Sequence, residues 1–285
     1  MRLNPFNPDS INVRRGGGGG FPGGGGGQLG CGAIVIALIG ALVFGIDPGQ
    51  MLGTLESAQQ GAPTQQQAGN ESAAEICDDN QYATEACNAL GSLDDTWAPL
   101  FRQAGIEFRK PYLVFYQGGT RSGCGAASSS MGPFYCPGDE SIYIDTGFYD
   151  EMQRKLGTGP GDFARYYVVA HEYGHHVQAL TGVAQQIASA QQQNPGAANQ
   201  LQVLMELQAD CYAGVWAGKN RNLIEPGDFE EGMQAASAIG DDTLTQGRVS
   251  PESFTHGTSA QRMQALRLGM ESGDDSQCDR IVEQR

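Results

Sequence analysis

Three histidines and a glutamate lie close together in the stretch VVAHEYGHHVQAL, residues 168–180. His171 and His175 are four residues apart, so in an α-helix their side chains share a face and both imidazoles can reach one cation. Glu172 follows the first histidine and is placed to accept a proton from water at the open position of that metal. The spacing H-E-x-x-H therefore predicts a zinc site that carries out hydrolysis. The alternative is a polar patch on a solvated helix face.

A catalytic zinc site needs a third protein ligand and one open position. The later stretch VLMELQADCYAG supplies Glu206 and Asp210, again four residues apart on one helix face. We predict Glu206 as the third ligand and Asp210 as the acceptor of a hydrogen bond from a ligand imidazole, which fixes its tautomer. An ordinary solvated helix face is the alternative. His176 points about 100° away from His175 around the helix, so we leave it out of the ligand set.

Two further candidates lie in ESFTHGTSAQRMQALRLG, just before and inside a predicted helix. A donor or cation near a polarised carbonyl can stabilise the oxyanion of a tetrahedral intermediate. We therefore predict catalytic roles for His256 and Arg262, with local structural roles as the alternative.

The surrounding segments predict a small sheet followed by helices. YLVFY, residues 112–116, is a continuous β-forming run, and residues 134–145 form two strand-like runs around a Pro-Gly-Asp turn. Ser92 with Asp95 resembles a helix start, with a kink at Pro99. Strands followed by helices predict an α+β fold. The later helices are predicted at residues 162–180, 195–217, 228–239 and 259–271.

The first quarter of the chain differs from the rest in composition. Residues 1–28 are glycine-rich and predict a flexible tail without chemistry of its own. Residues 29–46, LGCGAIVIALIGALVFGI, carry no charge and as a helix would reach roughly 27 Å, enough to cross a bilayer. A buried core helix or a cleaved signal peptide is the alternative. Residues 47–73 predict a polar linker, and residues 74–285 the folded domain.

Charge and cysteine content restrict the partners and the compartment. The formal net charge of -15 argues against nucleic acid, which needs a basic surface. Arginines precede the predicted span and acids follow it, which predicts the N-terminus inside and the domain outside. An even number of cysteines beyond the span predicts up to three disulfides in an oxidising compartment. Fifteen pairings are possible, and the local choice is Cys77–Cys87, Cys124–Cys136 and Cys211–Cys278. A thiolate zinc site is the alternative, but no C-x-x-C pair is present.

Several motifs in order resemble the bacterial neutral zinc metallopeptidase family, whose members are membrane-anchored proteins with a single span and a glycine-rich N-terminus. The resemblance implies a zincin-like fold with a glutamate ligand and an HExxH active-site helix. It also implies one Zn²⁺ per chain on His171, His175 and Glu206, Glu172 as acid/base, and Asp210 beside the ligands. FTHGTSAQR further resembles the S-T-H-P-x-x-x-x-R motif of the prenyl-protein and heat-shock membrane metallopeptidases, with glycine in place of the proline. The motifs that carry the family resemblance are YQGGTRSGCGAASSSMGPFYCPGDESIYIDTGFYDEM, VVAHEYGHHVQALTG, MELQADCYAGVWA and FTHGTSAQR.

We therefore expect a zinc-dependent endopeptidase with Glu172 as general acid/base, acting on protein or peptide substrates. It would be held in the bacterial cytoplasmic membrane by residues 29–46, with its catalytic domain on the periplasmic or extracellular side. Strands between residues 112 and 145 would align an extended substrate. A non-catalytic zinc-containing envelope scaffold and a zinc hydrolase of a non-peptide amide are the alternatives.

Overall fold

The computed structural model describes residues 1–17, 71–156 and 161–283. The predicted membrane span, residues 29–46, lies outside these ranges, as does most of the predicted linker. Among the helices within the described ranges, none combines the length and the apolar composition that crossing a bilayer requires.

The described strands form a four-stranded sheet and a separate two-stranded hairpin. The larger sheet has the order β1-β2-β6-β5, with β1, β2 and β6 parallel and β5 antiparallel to β6. Strand β2 and the β5–β6 hairpin confirm the two strand predictions, and β5 lies at an edge of the sheet. The strands are β1 (Asn12–Arg15), β2 (Tyr112–Tyr116), β3 (Gly119–Ser122), β4 (Gly125–Ser128), β5 (Phe134–Cys136) and β6 (Ser141–Asp145).

The N-terminal segment is part of the fold. Strand β1 pairs with β2 over its whole length, and Ile11 just before it is buried. The α-ammonium of Met1 lies 2.9 Å from Asp162 and 2.8 Å from Asp228. At the other end of the segment, Arg15 pairs with Glu71 at 2.9 Å. The prediction of a flexible tail is therefore wrong for residues 1–17.

This pairing also bears on topology. Strands of one sheet share backbone hydrogen bonds and so lie on the same side of any membrane. The predicted separation of the N-terminus from the domain by a bilayer disagrees with the β1–β2 pair.

Helices make up most of the remaining described chain. The predicted helices at 162–180, 228–239 and 259–271 agree with the structure to within one residue, and the one at 195–217 begins as a short 3-10 turn. The helices are α1 (Ala73–Cys77), α2 (Gln81–Ala104), α3 (Gly147–Leu156), α4 (Asp162–Thr181), α5 (Val183–Gln193), α6 (Ala198–Lys219), α7 (Asp228–Ala238), α8 (Asp241–Leu244), α9 (Ser259–Ser272) and α10 (Asp275–Glu283).

The predicted helix start at Ser92 is wrong. Helix α2 begins after Asn80, whose side chain accepts a hydrogen bond from Ala83 N, and it continues through Pro99. Ser92 lies in the middle of α2, where its hydroxyl accepts a hydrogen bond from Trp216 Nε1 at 3.0 Å. Ser92 therefore forms a tertiary hydrogen bond and does not cap the N-terminus of a helix.

Helix α6 packs closely against two neighbours. A Cβ on Gly174 of α4 would lie 2.9 Å from the Cα of Ala209, and one on Gly269 of α9 would lie 2.0 Å from Cys211 O. Only residues without a side chain allow these backbones to approach so far. The helix that carries Glu206 and Asp210 is therefore held in place from both sides.

Three disulfides join the cysteines in the predicted local pairing. They are Cys77–Cys87, Cys124–Cys136 and Cys211–Cys278. The last one attaches α10 to α6 at the residue after Asp210. Mixed helices and small sheets confirm the α+β class.

Candidate metal centre

The three predicted ligands converge at the crossing of α4 and α6. One donor atom from each of His171, His175 and Glu206 lies within 4.8 Å of the other two. The Glu206 carboxylate faces both imidazoles, with Oε2 at 3.2 Å from His171 Nε2 and Oε1 at 3.6 Å from His175 Nε2. Two imidazole nitrogens and one carboxylate oxygen are the donor set of a catalytic zinc site. The side chains present therefore fit that ion.

The outer nitrogens of both imidazoles have fixed partners. His171 Nδ1 lies 2.8 Å from Asp210 Oδ1, and His175 Nδ1 lies 2.9 Å from Gln178 Oε1. When each Nδ1–H donates to its oxygen acceptor, the lone pair of Nε2 faces the other ligands. Gln178 also donates from Nε2 to Met205 O at 2.8 Å, which sets the orientation of its amide.

Asp210 is the centre of a buried hydrogen-bond network. Arg262 donates to both of its oxygens, from Nε at 2.7 Å and from Nη2 at 2.9 Å. The Tyr167 hydroxyl donates to Oδ1 at 2.5 Å. These bonds give Asp210 the location predicted for it beside His171. They also direct the guanidinium of Arg262 at Asp210, whereas the sequence predicted contact with substrate.

The network keeps its two carboxylates ionised. Burial alone would raise the pKa of Asp210, but Arg262 and His171 outweigh it and lower that pKa to about 2. For Glu206, burial is likewise outweighed by His175 and His171, and its pKa lies well below its usual range. Burial lowers the pKa of His171, yet Asp210 and Glu206 raise it to about 10. Two ionised carboxylates are thus held in a buried site, where charge interactions are strong.

Glu172 lies in the same cleft, with a different environment. It is buried, and the backbone of Tyr135 on β5 lies near its carboxylate. Burial raises the pKa of Glu172, against the opposing effect of His171 and His175. A carboxyl whose pKa is raised in this way is suited to both accepting and releasing a proton.

His256 has one ring nitrogen bound and the other free. Its Nδ1 lies 3.0 Å from Asp241 Oδ1, and its buried Nε2 has no hydrogen-bond partner among the described residues. Oδ2 of Asp241 accepts hydrogen bonds from the backbone N–H groups of Thr255, His256 and Gly257. His256 lines the same cleft as the three ligands. The bonds to Asp241 fix the ring so that Nε2 remains available.

The glycine that replaces the motif proline has a structural reason. Gly257 has φ +86°, in the left-handed region, and its N–H donates to Asp241 at 3.1 Å. Proline is restricted to a φ near -65° and has no N–H, so it fits neither requirement.

His176 contacts a different part of the molecule. Its Nε2 donates to Arg109 O at 2.6 Å, and its Nδ1 lies 3.0 Å from the Tyr135 hydroxyl. Burial lowers the pKa of His176 to about 4, so the ring is neutral. The side chain ties α4 to β5 and lies outside the three-residue cluster.

A cleft of about 670 Å³ opens over the metal centre. Its lining includes the predicted ligands together with Glu172, His256 and Arg262. The volume lies within the range of small-molecule and cofactor pockets.

Comparison with known proteins gives the family. A family model described as "Putative neutral zinc metallopeptidase" matches residues 4–281. The chain belongs to this family. The matched range begins in the N-terminal segment that carries β1 and includes every residue of the metal centre, so the family resemblance seen in the motifs is confirmed.

Two bacterial relatives align with most of the chain. "Uncharacterized protein YpfJ" of Escherichia coli K12 is 45% identical over 252 residues, which are 86% of this chain and 84% of the relative. "Uncharacterized protein Rv2575" of Mycobacterium tuberculosis H37Rv is 39% identical over 261 residues, 84% of each chain. No solved structure matches the chain.

Two residues of the site, Gln178 and Asp241, are not among those predicted from the sequence. Gln178 is three residues after His175, a spacing that places both on one helix face, so the pattern HEYGHHVQ contained a usable signal. Asp241 is 15 residues before His256 and has no motif around it. Only the folded chain brings those two together.

Proposed function

We propose that the protein is a zinc-dependent endopeptidase. The observation that carries this proposal is the convergence of His171, His175 and Glu206 within 4.8 Å, beside the buried carboxylate of Glu172. Membership of a metallopeptidase family supports the same conclusion. Proteins or peptides would be the substrates.

The residues of the cleft have distinct roles in this proposal. Zinc held by His171, His175 and Glu206 would polarise a substrate carbonyl and lower the pKa of a water molecule. Glu172 accepts the proton of the attacking water and returns it to the leaving amine. The raised pKa of Glu172 supports both transfers, because burial favours the protonated form that the second transfer requires.

His256 and Arg262 act in different ways. In its imidazolium form, with Nδ1–H donating to Asp241, His256 also donates from Nε2 to the oxygen on which negative charge develops, because Nε2 has no protein partner among the described residues. Arg262 positions Asp210, and through it His171, by its two bonds to that carboxylate. This role replaces the direct contact with substrate that the sequence suggested for Arg262.

The deciding experiment compares wild type with Glu172→Gln. The amide cannot accept the proton, so we expect cleavage of a casein or quenched-peptide substrate to fall by about 10² to 10⁴. Zinc content, measured by atomic absorption, should stay at one ion per chain because no ligand is changed. A chelator should abolish wild-type cleavage, and zinc should restore it.

The matched control is Glu230→Gln, an exposed glutamate on α7 outside the cleft. It makes the same chemical change and should cleave as wild type does. Undiminished cleavage by Glu172→Gln would refute the mechanism.

We also propose that the domain acts on the periplasmic or extracellular side of the bacterial cytoplasmic membrane, in contact with the bilayer through residues 29–46. Three disulfides support an oxidising compartment. Because β1 pairs with β2, residues 1–17 would share that side.

Labelling of intact cells tests this location. The exposed residues Ser10 and Ser189 are replaced singly by cysteine, and a membrane-impermeant thiol reagent is added. Both variants should react above the wild-type background from Cys31. Protection of the cysteine at position 10 alone would contradict the shared side, and protection of both would contradict the location.

A further inference from the structure

The metal centre lies in the middle of a long cleft. The residues of α4 that line it run from Tyr167 to Ala179, roughly 18 Å of helix. His171, Glu172 and His175 lie between these limits. A chain bound across the centre therefore meets cleft surface on both sides of the bond to be cleaved.

Both ends of the cleft have apolar walls. Beyond the C-terminal end of α4, the wall is formed by α5 and the turn after it, with the apolar side chains of Ala184, Ile187 and Pro195 and the uncharged amides of Gln191 and Gln192. Toward the N-terminal end of α4, where α7 packs against it, Ala235 and Ile239 form the wall. Strand β5 adds Phe134, and helix α3 adds Phe148 and Met152.

The charges of the cleft are confined to its centre. Among the described lining residues, the formally charged side chains are Glu172, Glu206 and Arg262, and Arg262 is paired with Asp210. The other polar lining side chains are neutral amides and hydroxyls and the histidines. A charged substrate side chain placed against either wall would lose its hydration without gaining a counter-ion, whereas an apolar one would gain from burial.

We propose that the substrate is a peptide segment with large, uncharged apolar side chains on both sides of the cleaved bond. This inference rests on the proposed endopeptidase function and specifies which side chains flank the bond that is cleaved. The apolar walls select the side chains, while the central groups act on the peptide bond that every substrate shares.

Binding tests the inference without turnover. Full-length Glu172→Gln protein is titrated into fluorescein-labelled blocked peptides, and anisotropy is recorded. One peptide carries Leu and Phe around its central bond, and its relatives carry Asp or Lys at one of those positions. We expect each charge to weaken binding by about tenfold or more, with or without zinc. Equal or tighter binding of the charged peptides would overturn the inference.

A charge placed in one wall should change the preference. Ala188 of α5 lines the cleft and is exposed, so Ala188→Glu adds a carboxylate where helix geometry is tolerant. The affinity of the variant for the Lys peptide, relative to its affinity for the Leu-Phe peptide, should rise by about tenfold. Ala190→Glu, on the same helix but outside the lining, is the matched control and should keep the wild-type ratio. An unchanged ratio in Ala188→Glu would count against the wall as a binding surface.

Cleavage by wild type separates this inference from the function on which it rests. Cleavage of the Leu-Phe peptide above the charged ones supports both. Cleavage with a preference for charged residues overturns the specificity and leaves the endopeptidase. Selective binding of apolar peptides without cleavage by zinc-loaded wild type overturns the endopeptidase and leaves an apolar peptide-binding cleft.

Discussion

The close approach of α4 and α6 at Gly174 should determine the geometry of the metal centre. Gly174 is the residue before His175, and Ala209 is the residue before Asp210, so the contact lies beside the ligands themselves. In Gly174→Ala, the new Cβ would lie 2.9 Å from Ala209 Cα and 3.1 Å from Ala209 Cβ. Carbon atoms in favourable contact are about 3.5 to 4.0 Å apart. The helices must therefore separate by roughly 0.5 to 1 Å to accept the methyl group.

That separation has two expected costs. Overpacking of this kind destabilises by about 1 to 3 kcal/mol, and the better helix propensity of alanine offsets up to about 1 kcal/mol. A net cost of about 1 to 2 kcal/mol, the middle of that range, lowers Tm by roughly 2 to 8 °C at about 2 to 4 °C per kcal/mol. Metal–ligand distances tolerate about 0.2 Å, so the same shift should weaken zinc binding by about tenfold to hundredfold.

Two measurements and one control decide the outcome. Tm is measured by differential scanning calorimetry with chelator present, and zinc affinity by competition with a chelating indicator. Gly91→Ala is the control, because Gly91 is also inside a helix but its Cβ would meet Ile11 at an ordinary 3.7 Å. It should be neutral or stabilising by up to about 1 kcal/mol. Gly174→Ala with wild-type Tm and zinc affinity would refute the claim that this contact sets the ligand spacing.

Two further predictions concern Asp241 and Asp94. Asp241→Asn removes the negative charge beside His256 Nδ1, so kcat should fall by about tenfold or more while zinc content stays unchanged. An unaltered kcat would contradict the role of the Asp241 carboxylate in supporting His256. Burial, opposed by the hydrogen bond from the Tyr173 hydroxyl and by the charge of Lys110, raises the pKa of Asp94 from 3.8 to about 6. Because the folded-state pKa is the higher one, this stabilising contribution is present below pH 3.8 and is lost as pH rises through 6, by up to about 3 kcal/mol. Urea unfolding at pH 4.5 and 7 should show Asp94→Asn gaining stability relative to wild type as pH rises, and a difference that does not depend on pH would contradict the assignment.

Local patterns carried most of what the sequence could predict. The ligand histidines and Glu206 with Asp210 depend on a four-residue spacing within single helices, which is visible without knowledge of the fold. The strand at residues 112–116 had a continuous β-forming run, and residues 134–145 had two short strand-like runs around a turn, because these strands are largely buried. The disulfides followed the shortest pairing along the chain.

Features that depend on distant contacts were missed. Strand β1 has only four residues, two of them arginines, and its partner lies about a hundred residues away, so its own sequence carries little β signal. Asp241 acts through hydrogen bonds to a loop that folding brings to it. The role of Arg262 was assigned from a motif, and the motif does not specify which way the guanidinium points.

The Arg15–Glu71 ion pair brings together two residues that are far apart in the chain, with 2.9 Å between Arg15 Nε and Glu71 Oε2. These two residues are therefore adjacent in space as well as joined through the chain between them. Closing a longer or shorter loop between adjacent ends changes the free energy of folding only slightly. We therefore expect variants that differ in the number of residues between Arg15 and Glu71 to keep nearly the same free energy of folding.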